Sequence, residues 1–130
     1  MLFQYLYFIW LLLLSFIAGC NAPAENSSDN NTYYKVKKVS DGDTFWIDNG
    51  TEKGEKVRLI GIDAPESRAT GKKQKQYFGE ESKQYLTQLI LNKEVRLEYD
   101  ISKKDPYKRL LAYVYLRDGT FLNAHLIQNG

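Results

Sequence analysis

Three short segments of the chain carry charged residues in patterns that suit either a catalytic or metal site or a purely structural role. In the first, Ser40-Asp41-Gly42-Asp43-Thr44, two carboxylates flank a glycine. The second is Arg58-Leu59-Ile60-Gly61-Ile62-Asp63-Ala64-Pro65-Glu66, which places an arginine in an apolar run ahead of two further carboxylates. The third is Tyr107-Lys108-Arg109, which precedes another apolar run and follows Asp105-Pro106. A metal site and catalytic arginines are the chemical interpretations.

Each segment taken alone also has a structural explanation. Asp-Gly-Asp is more often a turn than a metal site, because aspartate and glycine favour turns. Arginine is seldom buried without a partner, so Arg58 within an apolar strand is unusual. A structural ion pair would explain it as well as a catalytic role would.

Histidine and cysteine are scarce, because His125 and Cys20 are the only residues of these types. A Cys/His zinc site and an intramolecular disulfide are therefore excluded. Any acid–base catalysis would depend on carboxylates, lysines, tyrosines or a metal-bound water. The net charge of +2 is too small to indicate nucleic acid binding by itself.

The elements that position these segments alternate between two periodicities. Five stretches are rich in β-forming residues and predict strands at 34–39, 44–47, 56–62, 95–99 and 111–116. A helix is predicted at 79–91, where residues spaced three and four apart form one face: Phe78, Ser82, Tyr85, Leu86, Leu89 and Ile90. A short helix is predicted at 121–128. The order β-β-β-α-β-β predicts a mainly β fold with helices (α+β), an OB-fold five-stranded barrel.

Together the three segments resemble the thermonuclease, or micrococcal (staphylococcal) nuclease-like, family. The motifs that carry the resemblance are Asp-Gly-Asp-Thr, Arg-Leu-(x)₃-Asp-(x)-Pro-Glu and Tyr-(x)-Arg-(x)-Leu-Ala-Tyr, in the family's order. The resemblance covers residues 34–130, nearly the whole predicted domain. It implies a calcium-dependent nuclease that hydrolyses phosphodiester bonds of DNA and/or RNA and leaves 3′-phosphates.

The resemblance also assigns metal ligands and supporting residues. Asp43 and Asp63 match the carboxylates that bind Ca²⁺, and Ala64 matches a position that contributes its backbone carbonyl. Ca²⁺ takes carboxylate and carbonyl oxygens and retains waters, so histidine is not needed. Asp41 matches a carboxylate that supports the metal ligands, and Tyr107 matches a tyrosine near the bound phosphate.

Three further residues match the catalytic groups of the family. Arg58 and Arg109 match two arginines that stabilise the negative charge developing on the phosphate, to which a planar guanidinium can donate two hydrogen bonds. Glu66 matches the glutamate that acts as general base or positions the attacking water. The alternative function is a non-catalytic OB-fold module that binds nucleic acid or a protein partner. Since such modules have lost these residues, their presence favours the enzyme.

The chain departs from the family pattern at three points. Lys108 occupies a position where the family usually has glycine, so a positive φ there would strain the turn before Arg109. Pro106 replaces a residue that is usually basic. The family continues beyond Gly130 with a further strand and helix, so we expect the C-terminal part to be truncated here. We expect a monomer.

The N-terminal 18 residues suggest export. Residues 2–18 are almost wholly apolar and end at Ala18-Gly19-Cys20, which is typical of a secretory signal peptide. The end of this run resembles the bacterial lipoprotein signal, although no basic residue precedes it. The resemblance implies a signal peptide at 1–19 and a lipid anchor at Cys20 that holds an exported protein at the membrane. An uncleaved helical anchor and a secreted protein are the alternatives. Residues 20–32 are predicted to be a flexible tether to the nuclease-like OB domain at 33–130.

Overall fold

The computed structural model of the protein describes residues 31–69 and 71–130. The predicted signal peptide at 1–19, Cys20 and most of the predicted tether lie outside these residues and stay predictions. Within the part of the chain that the structure describes, no helix is long and apolar enough to cross a membrane. All three charged segments fall inside the described residues.

In the described part of the chain, five strands close into a barrel, and two helices pack against it. The strands are β1 (Tyr33–Asp41), β2 (Thr44–Ile47), β3 (Glu55–Leu59), β4 (Glu94–Lys104) and β5 (Leu110–Leu116). The helices are α1 (Gly79–Ile90), between β3 and β4, and α2 (Leu122–Gln128), after β5. This order and the closed sheet confirm the predicted β-β-β-α-β-β barrel.

The strands follow the order β1-β2-β3-β5-β4 around the barrel. Neighbouring strands are antiparallel except for β3 and β5, which run parallel. The parallel pair places Val57 beside Leu110 and Arg58 beside Leu111. Because parallel strands need a long crossover connection, α1 and β4 come between β3 and β5 in the sequence. This pair brings the second and third charged segments side by side.

One alternate set of strand side chains fills the barrel, since successive side chains on a strand point to opposite faces. On β3, Val57 and Leu59 are buried, whereas Arg58 between them faces outward. Leu86 and Ile90 of α1 join the strand side chains inside. The full core consists of Val36, Val39, Phe45, Ile47, Val57, Leu59, Leu86, Ile90, Val95, Leu97, Leu110, Ala112, Val114 and Leu122.

Two predicted strand boundaries are wrong. The third strand ends at Leu59 rather than at residue 62, because Gly61 has a φ of 75° and turns the chain. The fourth strand continues to Lys104, which pairs with Leu110 beyond an irregularity after Tyr99. Residues 56–62 are rich in β-forming types, so side-chain preference could not show the turn at Gly61, whereas residues 100–104 are mostly polar and gave no strand signal.

The predicted apolar face of α1 is only partly buried. Leu86 and Ile90 are fully buried, and Leu89 packs against the core. Phe78 and Tyr85, however, remain 56% and 37% exposed. The helical period was predicted correctly, but one edge of this face is open to solvent.

Candidate active site

The turn between β1 and β2 holds Asp43 in a buried position. Its side chain is 6% exposed, and Arg58 Nη1 lies 3.1 Å from its Oδ2. The carboxylate also accepts hydrogen bonds from Thr44 Oγ1 (2.7 Å) and from the Ala64 backbone N–H (3.1 Å). A buried carboxylate costs free energy unless it is paired and hydrogen-bonded. These three partners therefore fix the orientation of Asp43.

Gly42 allows this turn to lie against α1 and the loop after β3. A Cβ atom on residue 42 would lie 2.7 Å from Ser82 Oγ and 2.8 Å from the Cβ of Ala64. Both separations are too short for packed atoms. The glycine between Asp41 and Asp43 is thus required for close packing at the site.

Arg58 joins the two carboxylates that the resemblance assigns to the metal. Its Nη2 lies 3.0 Å from Asp63 Oδ1, while its Nη1 contacts Asp43. Nη2 also donates a hydrogen bond of 3.4 Å to the Ile62 carbonyl. The Asp63 side chain is 95% exposed, in contrast to buried Asp43. One guanidinium therefore links a buried carboxylate to a solvent-facing one at a single point on the outer surface of the barrel.

Asp41 supports the loop that carries Asp63 and Glu66. Its Oδ1 accepts hydrogen bonds from the Ser67 backbone N–H (3.1 Å) and from the Ser67 hydroxyl. Ser67 is only 2% exposed. Asp41 therefore anchors the end of this loop to the end of β1.

Gln76 holds the backbone of Glu66 through two hydrogen bonds. The Glu66 N–H donates to Gln76 Oε1 (3.0 Å), and the Gln76 N–H donates to the Glu66 carbonyl (2.9 Å). The Glu66 carboxylate forms an ion pair with Lys73. The hydrogen bond with Glu66, followed by its negative charge, raises the pKa of Lys73. The charges of Arg58 and Arg109 act in the opposite direction, so Glu66 and both arginines influence the same lysine.

Asp105 organises the segment that carries Arg109. Its Oδ2 lies 2.7 Å from Arg109 Nε, and its Oδ1 accepts the backbone N–H groups of Tyr107 and Arg109, both at 2.9 Å. The side chain of Asp105 is 9% exposed and that of Arg109 is 22% exposed. The exposed Tyr107 ring lies 5.3 Å from the Arg109 guanidinium carbon. Arg109 is therefore held by contacts with two residues of its own loop, Asp105 and Tyr107.

Opposing influences determine the ionisation of Asp105. Desolvation raises its pKa. The pKa is lowered by hydrogen bonds from the backbone and side chain of Arg109, by the positive charge of Arg109 and by a hydrogen bond from the Tyr107 N–H. The net result is a pKa below the ordinary value of 3.8. Asp105 is therefore a carboxylate at neutral pH, and it keeps its ion pair with Arg109.

Lys108 adopts the left-handed backbone conformation that the family's glycine suggested for this position. Its φ is 62°, and its N–H donates to the Asp105 carbonyl at 2.9 Å. For residues other than glycine this conformation costs about 1 to 2 kcal/mol. The expected strain is present, and the loop still closes with Arg109 bound to Asp105.

Arg58 and Arg109 face the same side of the barrel. Arg58 lies beside Leu111 on the parallel strand, and Arg109 is two residues before Leu111, so its side chain points to the same outer face. The structure thus brings Asp43 and Asp63 into contact with Arg58, and it places Arg109 next to the start of β5, the strand that pairs with the strand of Arg58.

Two cavities border the loop after β3. The larger, of about 550 Å³, lies between this loop, α1 and α2, and its walls include Asp63, Ala64 and Phe78. The smaller, of about 310 Å³, is lined by Asp63, Ala64, Pro65, Glu66, Lys73, Gln74 and Gln76. The segment from Asp63 to Pro65 forms a wall of both cavities.

Among residues 31–69 and 71–130, no group of three histidine, cysteine or acidic side chains lies close enough together to hold a metal ion. The Asp43 and Asp63 carboxylates both contact the Arg58 guanidinium. Because the Asp63 side chain is exposed, water can also reach its carboxylate. Ca²⁺ accepts such a set of carboxylate, carbonyl and water oxygens.

Asn123 is a supporting residue that the sequence did not reveal. It is 3% exposed on α2. Its Oδ1 accepts the Val114 N–H (2.9 Å), and its Nδ2 donates to the Ile60 carbonyl (2.8 Å). Asn123 therefore fastens α2 to β5 and to the start of the loop after β3. No sequence motif marks it, since a polar residue in a short helix normally faces solvent.

Three other supporting residues near Glu66 were also not predicted: Ser67, Gln76 and Gly79. Gly79 begins α1 directly against the Glu66 backbone, and a Cβ atom there would lie 2.2 Å from the Glu66 carbonyl oxygen. Lys73, which pairs with Glu66, was not predicted either. Its partner lies seven residues earlier, so short-range periodicity gave no signal.

Comparison with known proteins defines the class of this barrel. The family model described as staphylococcal nuclease homologue matches residues 56–130, more than half of the chain. The thermonuclease of Staphylococcus intermedius is 39% identical over 94% of this chain and 71% of its own length. The thermonuclease of Staphylococcus hyicus is also 39% identical, over 80% of this chain and 60% of its own length. An uncharacterised endonuclease of Haemophilus influenzae is 37% identical over 92% of this chain and 58% of its own length.

Fold and relatives together define a nuclease, a hydrolase of phosphodiester bonds. The chain belongs to the staphylococcal nuclease homologue family. It spans between 58% and 71% of the length of these three relatives.

Proposed function

We propose that the barrel hydrolyses phosphodiester bonds of DNA and/or RNA in a calcium-dependent reaction at the surface around Arg58. The observation that carries this proposal is the contact of one guanidinium with two carboxylates, Asp43 and Asp63. A third contact, a hydrogen bond of 3.4 Å to the Ile62 carbonyl, helps to orient the guanidinium. It is also partly exposed, so that a phosphate can reach it.

In this proposal the two arginines bind the reacting phosphate. Negative charge grows on the phosphate oxygens during hydrolysis, and fixed cations directed at that charge lower the barrier. Arg58 is held by carboxylates and Arg109 by Asp105, so both guanidiniums are oriented before substrate arrives. Tyr107 is exposed beside Arg109, and its proposed role is to contact the same phosphate group.

Glu66 is the proposed general base, or the group that positions the attacking water. Its backbone is fixed by Gln76, and its carboxylate is paired with Lys73 on the wall of the smaller cavity. A base has to lie within hydrogen-bond reach of the water that it deprotonates. Release of the exposed Lys73 side chain would free the Glu66 oxygen for this contact.

Asp43, Asp63 and the backbone carbonyl of Ala64 are the proposed calcium ligands, and Asp41 supports their loop. The ion, when bound, supplies positive charge for the phosphate and for the water. Of the ligands, Asp43 is already oriented by Thr44 and the Ala64 N–H. A site with few carboxylates suits the flexible coordination of Ca²⁺ better than the strict octahedron of Mg²⁺.

Steady-state cleavage of single-stranded DNA tests the reaction. We expect activity with Ca²⁺, little activity with EGTA plus Mg²⁺, and 3′-phosphate ends on the products. Arg58→Lys and Arg109→Lys should each lower kcat by about 100- to 1000-fold, because lysine keeps the charge but loses the two-pronged geometry. Circular dichroism would verify folding. Wild-type kcat in both folded variants would contradict the proposal and favour a non-catalytic binding module.

We also propose that the protein is exported and anchored by lipid at Cys20. The apolar run that ends at Ala18-Gly19-Cys20 supports this, together with a domain that begins only at residue 33. Metabolic labelling with a fatty acid should mark the wild-type chain and not Cys20→Ala. Equal labelling of both chains would contradict the lipid anchor.

A further inference from the structure

Two aromatic side chains stand exposed at the start of α1. Tyr77 is 84% exposed and Phe78 is 56% exposed. Their ring centroids lie 4.3 Å apart, with the ring planes tilted by 60°. Exposed apolar groups grouped in this way usually mark an interaction site, whereas scattered ones do not.

The conformation of Phe78 does not stabilise α1. Phe78 is the N-cap residue of α1, has a φ of 62°, and makes no side-chain capping hydrogen bond. The left-handed conformation is unfavourable for a bulky residue, and phenylalanine is a poor N-cap compared with serine or asparagine. Strained residues that local stability does not explain are concentrated at functional sites.

The aromatic pair is fixed close to the proposed catalytic residues. Tyr77 directly follows Gln76, which is hydrogen-bonded to both backbone groups of Glu66. Phe78 lines the larger cavity together with Asp63 and Ala64. The position of the rings is therefore tied to the loop that carries the proposed base and metal ligands.

The charge on the N-terminal side of the pair suits an anionic strand, whereas Glu80 and Glu81 follow the pair in the first turn of α1. The exposed segment just before it contains Lys72, Lys73 and Lys75. Cationic side chains that follow a phosphate backbone, next to aromatic rings on which bases stack, are the usual means of binding single strands without sequence preference. A protein partner of ordinary composition would not require this combination of lysines and flat exposed rings.

We propose that Tyr77 and Phe78 form a stacking platform for an unpaired base next to the phosphate that is cleaved. The proposal rests on the proposed function, because it places the base relative to that phosphate. Stacking needs a free base face, so the platform binds single strands and frayed ends in preference to intact duplex. The backbone of the strand then runs past the lysines of the preceding segment.

Binding of a fluorescent twelve-nucleotide oligo(dT), measured by anisotropy in EGTA, tests the platform without cleavage. Stacking is worth about 1 to 3 kcal/mol per base, so Tyr77→Ser and Phe78→Asn should each weaken binding by about 5- to 150-fold. Tyr77→Phe keeps a ring and should bind as the wild type does. Phe78→Asn should melt at the same temperature or higher, because asparagine tolerates the left-handed conformation.

Two controls separate stacking from other effects. An abasic oligomer of equal length has the same phosphates without bases, and its affinity should not differ between the wild type and the variants. Ile101→Ser removes a fully exposed apolar side chain that lines neither cavity and should bind oligo(dT) normally. Unchanged oligo(dT) binding by Tyr77→Ser and Phe78→Asn, or an equal loss on the abasic oligomer, would overturn the platform.

The platform and the catalytic proposal can fail separately. Wild-type hydrolysis of bis(p-nitrophenyl) phosphate with Ca²⁺ reports on the reaction without the binding of an oligonucleotide. If the wild type hydrolyses neither this compound nor DNA, the catalytic proposal is refuted. The oligo(dT) binding experiment would still test the stacking platform.

Discussion

Replacing Lys108 with glycine should stabilise the protein, because the backbone at this position is already in the conformation that glycine favours. Lys108 has a φ of 62° and is exposed, so removing its side chain costs little packing. Relief of the left-handed conformation is worth about 1 to 2 kcal/mol. Glycine loses more conformational entropy on folding, which costs about 0.5 to 1 kcal/mol. The expected net gain is about 0.5 to 1 kcal/mol.

Thermal unfolding followed by circular dichroism measures this gain. In a domain of this size 1 kcal/mol corresponds to about 4 to 8 °C in Tm, so Lys108→Gly should raise Tm by about 2 to 8 °C. Lys108→Ala is the matched control, since it removes the charge but keeps a Cβ atom and hence the strain. Asn92→Gly is a second control. Asn92 has a φ of 61°, but asparagine tolerates this conformation, so the gain there should be smaller.

The result that would refute this reasoning is an equal Tm for Lys108→Gly and Lys108→Ala, or a lower Tm for the glycine variant. Activity adds a second measurement. The ion pair with Asp105 holds Arg109 independently of residue 108, so kcat of Lys108→Gly should equal or exceed that of the wild type. A large loss of kcat would mean that the lysine itself contacts the substrate.

Three further substitutions test the supports of the site. Asp105→Asn should destabilise the protein at neutral pH by about 1 to 3 kcal/mol and lower kcat by releasing Arg109. Because the pKa of Asp105 is lowered on folding, its stabilisation is present above about pH 3.8 and is lost as the pH falls below this value. The Tm difference from the wild type should therefore shrink between pH 6 and pH 3, and a constant difference would contradict the assignment. Asn123→Ala leaves the Ile60 carbonyl and one buried N–H unpaired and should cost about 2 to 4 kcal/mol in urea unfolding; a loss below 1 kcal/mol would be contrary to expectation. Gly79→Ala should lower both stability and kcat, because the added Cβ meets the Glu66 carbonyl; wild-type values of both would show that the loop adjusts freely.

The features that short-range patterns encode could be predicted from the sequence. Alternation on β3 places Val57 and Leu59 inside and Arg58 outside, and this follows directly from the order of residue types. The three-to-four spacing of α1 identified the helix and its first residue, Gly79. The order of elements along the chain, β-β-β-α-β-β, also followed from these patterns and indicated the closed barrel.

Contacts between residues far apart in the sequence could not be predicted. The bridge made by Asn123 depends on how α2 meets β5, and the pairing of Glu66 with Gln76 depends on the path of a loop. The left-handed conformation of Phe78 was missed because its aromatic type suggested an apolar helix face. At Lys108 the same conformation was foreseen only because a resembling family has glycine there.

The parallel pairing of β3 with β5 determines when the arginines come together during folding. Adjacent antiparallel strands such as β1, β2 and β3 pair through short connections. By contrast, α1 and β4 lie between β3 and β5 in the sequence, so the pairing of β5 with β3 joins distant parts of the chain. Contacts of such long sequence separation form slowly. A chain that is still emerging from the ribosome therefore carries Arg58 and Arg109 on separate, unassembled pieces. The proposed hydrolysis, which uses both guanidiniums, therefore begins only once the barrel has closed.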